Sequence, residues 1–382
     1  MEGIPAVKIL VISHEYPPIG GGGGRVVQDL CQGLASRDYA FYILTAHHAG
    51  LPDLETQEYL TIERLHSCRQ HEYRASLFSM FCFVWKSFWR ALGIIKIWKP
   101  DLIHAHFAVP GGASAALAGL LTRTPYILTI HGGDVPGGAP EKTGRWFKFI
   151  KPFTAFIWKN ARKVIAVSDF SRQLALTHYP VQIEVIPNGI DRKHFNQEVQ
   201  PAHSPPQLLF VGRFSPEKNA IAIPEILYEI ADLSWSCTMI GDGPQFTEVH
   251  SRLQRYQLDE RVRLTGWIAQ QDVNEALMQS DLLLMPSLRE SMPLVGLQAL
   301  AAGVGLLMSD VGACAEMVDV GRNGFLLPAN DMAGFARTLR SLLSTPEEIA
   351  KLKGTSKKKS AAFDLHAILE QYRSVYQEIS GI

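Results

Sequence analysis

No two of the five cysteines (Cys31, Cys68, Cys82, Cys237 and Cys314) are spaced as C-x-x-C, and their number is odd. This argues against the common zinc frameworks and against a disulfide-stapled scaffold, and leaves reduced, buried thiols in a cytosolic protein as the expectation. Net charge is also absent, with 37 Lys and Arg against 37 Asp and Glu, which disfavours a general nucleic-acid binder. No run of about 18 apolar residues is free of charge, so no membrane span is expected. The first residues lack the succession of a secretory signal, and Val7 to Ser13 reads as a strand instead. A dinucleotide fingerprint is missing too. In every register of Gly20 to Gly24 the third glycine of G-x-G-x-x-G would fall on Arg25, Val26 or Val27, and the second apolar run ends at Ala46-His-His without an acid.

What is present is a chain of 382 residues, 47% hydrophobic and 19% charged, a length that implies two domains. The neutral total conceals an asymmetry: residues 1–195 hold 21 Lys and Arg against 15 Asp and Glu, and the remainder holds 16 against 22. Short apolar runs at Val7–Ser13, Ala40–Ala46, Leu102–Phe107, Tyr126–Ile130, Lys163–Ser168 and Ile183–Ile186 are separated by longer helical stretches. The alternation pauses around Pro201 to Gln207 and resumes at Leu208–Val211, Cys237–Ile240, Val262–Thr265, Asp281–Met285, Gly305–Ser309 and Gly324–Leu327. Such alternation predicts α/β domains, each a doubly wound parallel sheet. The expected division is 1–195, 196–362, and a closing helix in 363–382 that crosses back to the first domain.

Several strand ends carry chemistry. After the buried run Asp281–Met285 comes Glu290, and then Pro293 at the first turn of an apolar helix through Leu294, Val295 and Gln298. Helix starts at the carboxyl edge of a parallel sheet attract phosphate. Val211-Gly-Arg213-Phe-Ser-Pro-Glu-Lys218-Asn puts two cations between a strand and a helix start, a place already electropositive, which favours an anionic ligand over two solvated side chains. Gly241 and Gly243 end another strand in a tight turn, and Trp267 follows a further one, equally readable as a ligand contact or as core. Gly21, Gly22, Gly23 and Gly24 form a loop that lets backbone approach a ligand, or else a plain surface turn. His131 and Asp134 follow Tyr126–Ile130 on a glycine loop, and His104 and His106 alternate onto one face of their strand without an evident third ligand. No metal is expected.

These motifs resemble the retaining glycosyltransferases of family 4. Glu290 matches the first acid of the family's acid-x7-acid signature, with Gln298 where the second stands. Arg213 and Lys218 match the Gly-Arg-x-x-x-x-Lys-Gly motif, with Asn219 for its glycine. Gly312-Ala-Cys-Ala-Glu316 matches Gly-Gly-x-Pro-Glu, with Ala313 and Ala315 at the departures, and Arg37-Asp-Tyr39 stands where relatives have Gly-His. The resemblance implies a GT-B fold, two Rossmann-like domains facing a cleft, and transfer of a sugar from a nucleotide diphospho-sugar to a glycan or lipid-linked acceptor. Catalytic roles would fall to Glu290 and His131. Donor binding would fall to Arg213, Lys218, Gln298, Gly241, Gly243, Trp267, Leu294 and Val295. Apart from the resemblance, Asp134 is expected on the acceptor side, and His106 there or in a structural role. The resemblance implies no cofactor beyond the donor substrate and no nucleic-acid partner. The alternatives are a nucleotide-sugar-binding subunit with little turnover, or an epimerase or phosphorylase of the same architecture.

Between Glu72 and Asp101 there is no acid, while Arg74, Lys86, Arg90, Lys96 and Lys99 lie among Phe78, Phe81, Phe83, Trp85, Phe88, Trp89 and Trp98. A second basic, aromatic segment runs from Arg145 to Lys163. Leu77, Phe81, Val84, Phe88, Leu92 and Ile95 keep the spacing of a docking stripe, and the aromatics beside it suit a membrane surface. The expected location is cytoplasmic, peripheral on the inner face of a membrane.

Overall fold

A computed structural model describes residues 7–69, 75–138 and 147–381, with backbone alone from 147 to 150. Arg74 and the beginning of the second basic segment at Arg145 lie outside the described residues. The chain divides into two compact units, Met1–Asn188 with His366–Ile382, and Gly189–Leu365.

The first unit holds an eight-stranded sheet. Its strands are β1 Val7–Ile12, β2 Tyr39–Ala46, β3 Leu54–Gln57, β4 Leu60–Leu65, β5 Leu102–His106, β6 Tyr126–Ile130, β7 Lys163–Ala166 and β8 Ile183–Val185. They lie in the order β3-β4-β2-β1-β5-β6-β7-β8, all parallel except β3, which runs antiparallel to β4. The second unit holds β9 Gln207–Val211, β10 Ser236–Ile240, β11 Val262–Gly266, β12 Leu282–Met285, β13 Gly305–Ser309 and β14 Gly324–Leu327. These are parallel in the order β11-β10-β9-β12-β13-β14. In both sheets the order turns back beside the first strand, between β1 and β5 and between β9 and β12. Loops leaving carboxyl ends at such a reversal diverge and open a crevice.

Helices on both faces explain why the strands read as unbroken apolar runs: β5, β6, β12 and β13 are buried at every residue. Each fully buried Leu in such a strand contributes about 1.5–3 kcal/mol of transfer free energy. The hairpin β3–β4 has no apolar run. It is an edge element, Leu-Glu-Thr-Gln against the alternating Leu-Thr-Ile-Glu-Arg-Leu, and only every second residue of β4 is buried. The closing helix, Leu365–Ser380, buries Ile368, Leu369, Tyr372, Val375 and Tyr376 at helical spacing and belongs to the first unit.

Helix Leu77–Trp98 turns inward the later part of the expected stripe, Phe88, Leu92 and Ile95, which pack partly buried against the core, but not its beginning. Ser79, Phe83, Ser87, Ala91 and Ile94 are buried, whereas Leu77 and Phe81 of the expected stripe stand exposed beside Phe78, Trp85 and Trp89. Small residues win because they let the helix approach Ala113–Thr122 closely, with Ser87 Oγ and Ser114 Oγ 2.7 Å apart. By length and composition this helix could cross a membrane, although its inner face belongs to the unit's core. The thiols also differ from expectation. Cys31, Cys237 and Cys314 are buried, but Cys68 is exposed and Cys82 half-exposed.

Candidate functional site

In the second unit, backbone bonds tie together the turns that leave β9 and β10. Gly212 and Phe214 donate to the carbonyls of Ile240 and Asp242, and Gln245 donates to that of Phe214. The contact is so close that a Cβ on Gly241 would lie 2.0 Å from the Gly212 oxygen, and one on Gly243 2.6 Å from that of Phe214. This is why glycines end β10. Asn219 sits in the left-handed region, with φ of +53°, which explains how it replaces a glycine: Asn tolerates that region better than other side chains. Its amide donates to the Pro286 carbonyl and holds the β9 turn against the end of β12.

That clamp brings Lys218 onto Glu290. The ammonium donates to both carboxylate oxygens at 2.7 and 2.8 Å, and the Ser287 hydroxyl donates to Oε1 at 2.8 Å. The Glu290 side chain is 5% exposed and Lys218 29%. From the far side, the loop after β13 closes on the same turn. Ala313 donates to the Ser291 carbonyl, and a Cβ on Gly312 would fall 1.7 Å from the backbone carbonyl oxygen of Glu290. Helix Leu294–Ala302 then begins. Pro293 is its cap rather than its first residue, and no side chain caps it, so the Leu294 and Val295 N–H groups lack intrahelical acceptors. Gln298 is half-exposed on this helix. Arg213 is half-buried in the β9 turn. Trp267, 54% exposed after β11, is not core.

In the first unit the corresponding edge gathers His14, Glu15, the glycines, Phe107 and His131. Gly22, Gly23 and Gly24 form the first turn of helix Gly22–Leu34, capped by Gly21, and so are not the loop that was expected. Glu15 Oε2 accepts from the Gly21 N–H at 3.1 Å, and a Cβ on Gly23 would meet the Phe107 ring at 2.5 Å. Phe107 holds φ of +67°, costly for an aromatic residue, and its ring lies between His14 (4.8 Å) and His131 (4.4 Å). The Asp134 carboxylate accepts from the Ala108 and His131 N–H groups at 2.6 and 2.9 Å, so it clamps the loops after β5 and β6. Its pKa is raised by burial, although those N–H groups act the other way.

His106, expected on the acceptor side, is 0% exposed, and its Nδ1 lies 3.1 Å from His131 Nε2. His104 stacks on it at 4.1 Å and is bonded at Nδ1 to the Tyr376 hydroxyl and at Nε2 to that of Thr129. Burial pushes His131 down to about 4, Glu15 partly opposing and His14 adding to the shift, and pushes His104 to about 3. Both rings are neutral at ordinary pH. Sequence reasoning missed Phe107, His14 and Glu15, although Ser13-His14-Glu15 directly follows β1 at the end where the glycines begin.

Outside this set, His47, Asp53 and His66 are described residues whose ligand atoms all lie within 4.8 Å of one another, the types a divalent cation takes. They already serve each other. His66 Nε2 pairs with Asp53 at 2.9 Å, and His47 Nε2 lies 2.9 Å from the Leu51 carbonyl.

The profile of "Glycosyltransferase Family 4" matches residues 20–194, and that of "Glycosyl transferases group 1" matches residues 205–345. The glycogen synthase of Mycobacterium tuberculosis is 24% identical over 393 aligned residues, covering 97% of this chain and 94% of its own. Among solved structures, sucrose-phosphate synthase of Thermosynechococcus elongatus superposes with a TM-score of 0.81 at 20% identity, over 98% of this chain and 99% of its own. Anabaena Alr3699/HepE in complex with UDP-glucose gives 0.76 at 20%, over 97% and 99%. These likenesses show the GT-B fold.

Proposed function

Since the chain belongs to glycosyltransferase family 4, group 1, on matches that together span most of its length, we propose that it moves a hexose-type sugar, with retention, from a nucleotide diphospho-sugar to a glycan or lipid-linked acceptor in cell-surface polysaccharide or glycolipid synthesis. The observation that carries this reading is the Lys218–Glu290–Ser287 cluster beside the uncapped start of helix Leu294–Ala302. Cation, carboxylate and free N–H groups stand together there, as departure of a diphosphate from an anomeric carbon requires.

Arg213, Lys218 and the Leu294 and Val295 N–H groups stabilise charge gathering on the leaving diphosphate, a task for preorganised donors. Glu290 opposes the positive charge developing at the anomeric carbon, and a contact to the sugar is the role that the family resemblance assigns to His131. Gly241, Gly243 and Trp267 line the nucleotide, and Gln298 takes its ribose. Among the described residues, the carboxylates at the edge of the first unit are already engaged, Glu15 by the Gly21 N–H and Asp134 by those of Ala108 and His131. The acceptor oxygen therefore bonds the anomeric carbon on the face from which the phosphate oxygen leaves, and the acceptor proton passes to that oxygen. No metal takes part. HepE's complex with UDP-glucose makes a UDP-sugar the first donor to try. The acceptor belongs to the first unit, whose exposed aromatic helix carries Lys86 and Arg90 and suits the cytoplasmic surface of a membrane.

One observation favours a second reading, a nucleotide-sugar-binding subunit: Gln298 supplies one neutral acceptor oxygen where relatives have a carboxylate. Release of nucleoside diphosphate from UDP-, GDP- and ADP-sugars, with and without membrane lipid extract, separates the two. Acceptor-dependent release with one base supports the transferase, and binding without turnover supports the subunit.

A further inference from the structure

We propose that His106 is a positioning residue that fixes the tautomer of His131, so that His131 presents an N–H donor, from Nδ1, to its substrate. The proposal rests on His131 acting on the sugar as read above.

The argument is a count of protons. His104 and His106 are 0% exposed and His131 8%. Burial lowers the pKa of His106 as it does those of its neighbours, so each ring is neutral and carries one N–H. His106 Nδ1 and His131 Nε2, 3.1 Å apart, share one proton between them. The other nitrogen of His106, Nε2, is buried and has no partner among the described residues. Were the His106 proton on Nε2, a buried N–H would have no acceptor. With the proton on Nδ1, the orphan is only a lone pair. Unpaired buried N–H groups are rarer than under-used acceptors, so the second arrangement prevails. His106 therefore donates to His131 Nε2, and His131, neutral, must carry its own proton on Nδ1.

That nitrogen faces the glycine turn: a Cβ on Gly23 would lie 3.5 Å from it, and among the described residues it has no hydrogen-bond partner. Neither ring can readily turn over to exchange its nitrogens. Phe107 packs on His131 at 4.4 Å, and His104, held at both nitrogens by Tyr376 and Thr129, stacks on His106. A ring fixed in this form donates to a hydroxyl or phosphate oxygen. It does not serve as a general base.

The test is two-bond proton–nitrogen correlation NMR of the full chain labelled with 15N-histidine. His106 and His131 are assigned through the signals lost in His106→Asn and His131→Asn. The expected spectrum shows both rings protonated at Nδ1 and bare at Nε2. In His106→Leu the His131 pattern should become mixed, and turnover of the active donor should fall about tenfold while nucleoside diphosphate affinity changes by less than about twofold. His106→Asn, whose amide N–H ends near the place of Nδ1, should restore both. A wild-type His131 protonated at Nε2, or a pattern unchanged in His106→Leu, would overturn the proposal. If the Leu variant does not fold, the wild-type spectrum decides alone. Full turnover in His131→Ala would instead remove His131 from the functional reading, a result independent of the tautomer seen in the spectra.

Discussion

Lys218 and Glu290 were assigned from sequence to different roles, donor binding and catalysis, yet the structure joins them at 2.7 and 2.8 Å. This changes what Glu290→Gln should do. The variant keeps the shape and removes the charge, so turnover should fall by about two to three orders of magnitude, the ~2.7–4 kcal/mol of one lost electrostatic partner. Lys218, released from its carboxylate, should then hold a diphosphate more tightly, by roughly 1 kcal/mol. Calorimetry with UDP, GDP and ADP, alongside turnover and melting, checks both. A destabilised protein with unchanged turnover would leave Glu290 as a brace for the helix start. The buried histidines make a second prediction. His131 and His104 have folded values of about 4 and 3 against an ordinary 6.5, so the neutral forms favour the fold. Their contribution is complete above about pH 6.5 and is lost as pH falls towards those lowered values. At pH 5 the loss should be on the order of 2 kcal/mol for each ring. Melting from pH 7.5 to 5 should show it, and a flat profile would contradict neutral burial.

At the scale of elements, helix Leu77–Trp98 shows where periodicity stops being informative. Leu77 and Phe81 begin one stripe at helical spacing and are exposed, whereas Ser79, Phe83, Ser87 and Ala91 keep helical spacing too and are buried. Residue size favours one face and closeness of approach the other, and only the neighbouring helix decides between them. The hairpin β3–β4 was missed because an edge strand with a polar outer face leaves no apolar run. The outward aromatics lead to a prediction: the protein should float with anionic liposomes at low salt, and less as salt rises, since attraction between exposed charges is screened over ~10 Å at 0.1 M. Replacing Phe81, Trp85 and Trp89 with Ser should abolish flotation. Protein that remains at the bottom of a low-salt gradient would end the membrane assignment.

Across the whole molecule, the apolar runs were enough to place most of the strands and to indicate two parallel sheets. The motifs at their carboxyl ends pointed to residues that the structure gathers at one edge of the second unit, Lys218 and Glu290 among them. What stayed hidden depends on side chains that meet only after folding. Lys218 and Glu290 are 72 residues apart and His104 and Tyr376 are 272 apart, and no local pattern announces either pair. Phe107, strained between two histidines, looks in sequence like the last residue of a strand. The central claim, transfer from a nucleotide sugar with retention, is tested most directly by proton NMR of the product during the first turnovers with the active donor. The account predicts that an α-linked nucleotide sugar gives an α-linked product from the earliest time point. A β-linked product formed first would contradict it.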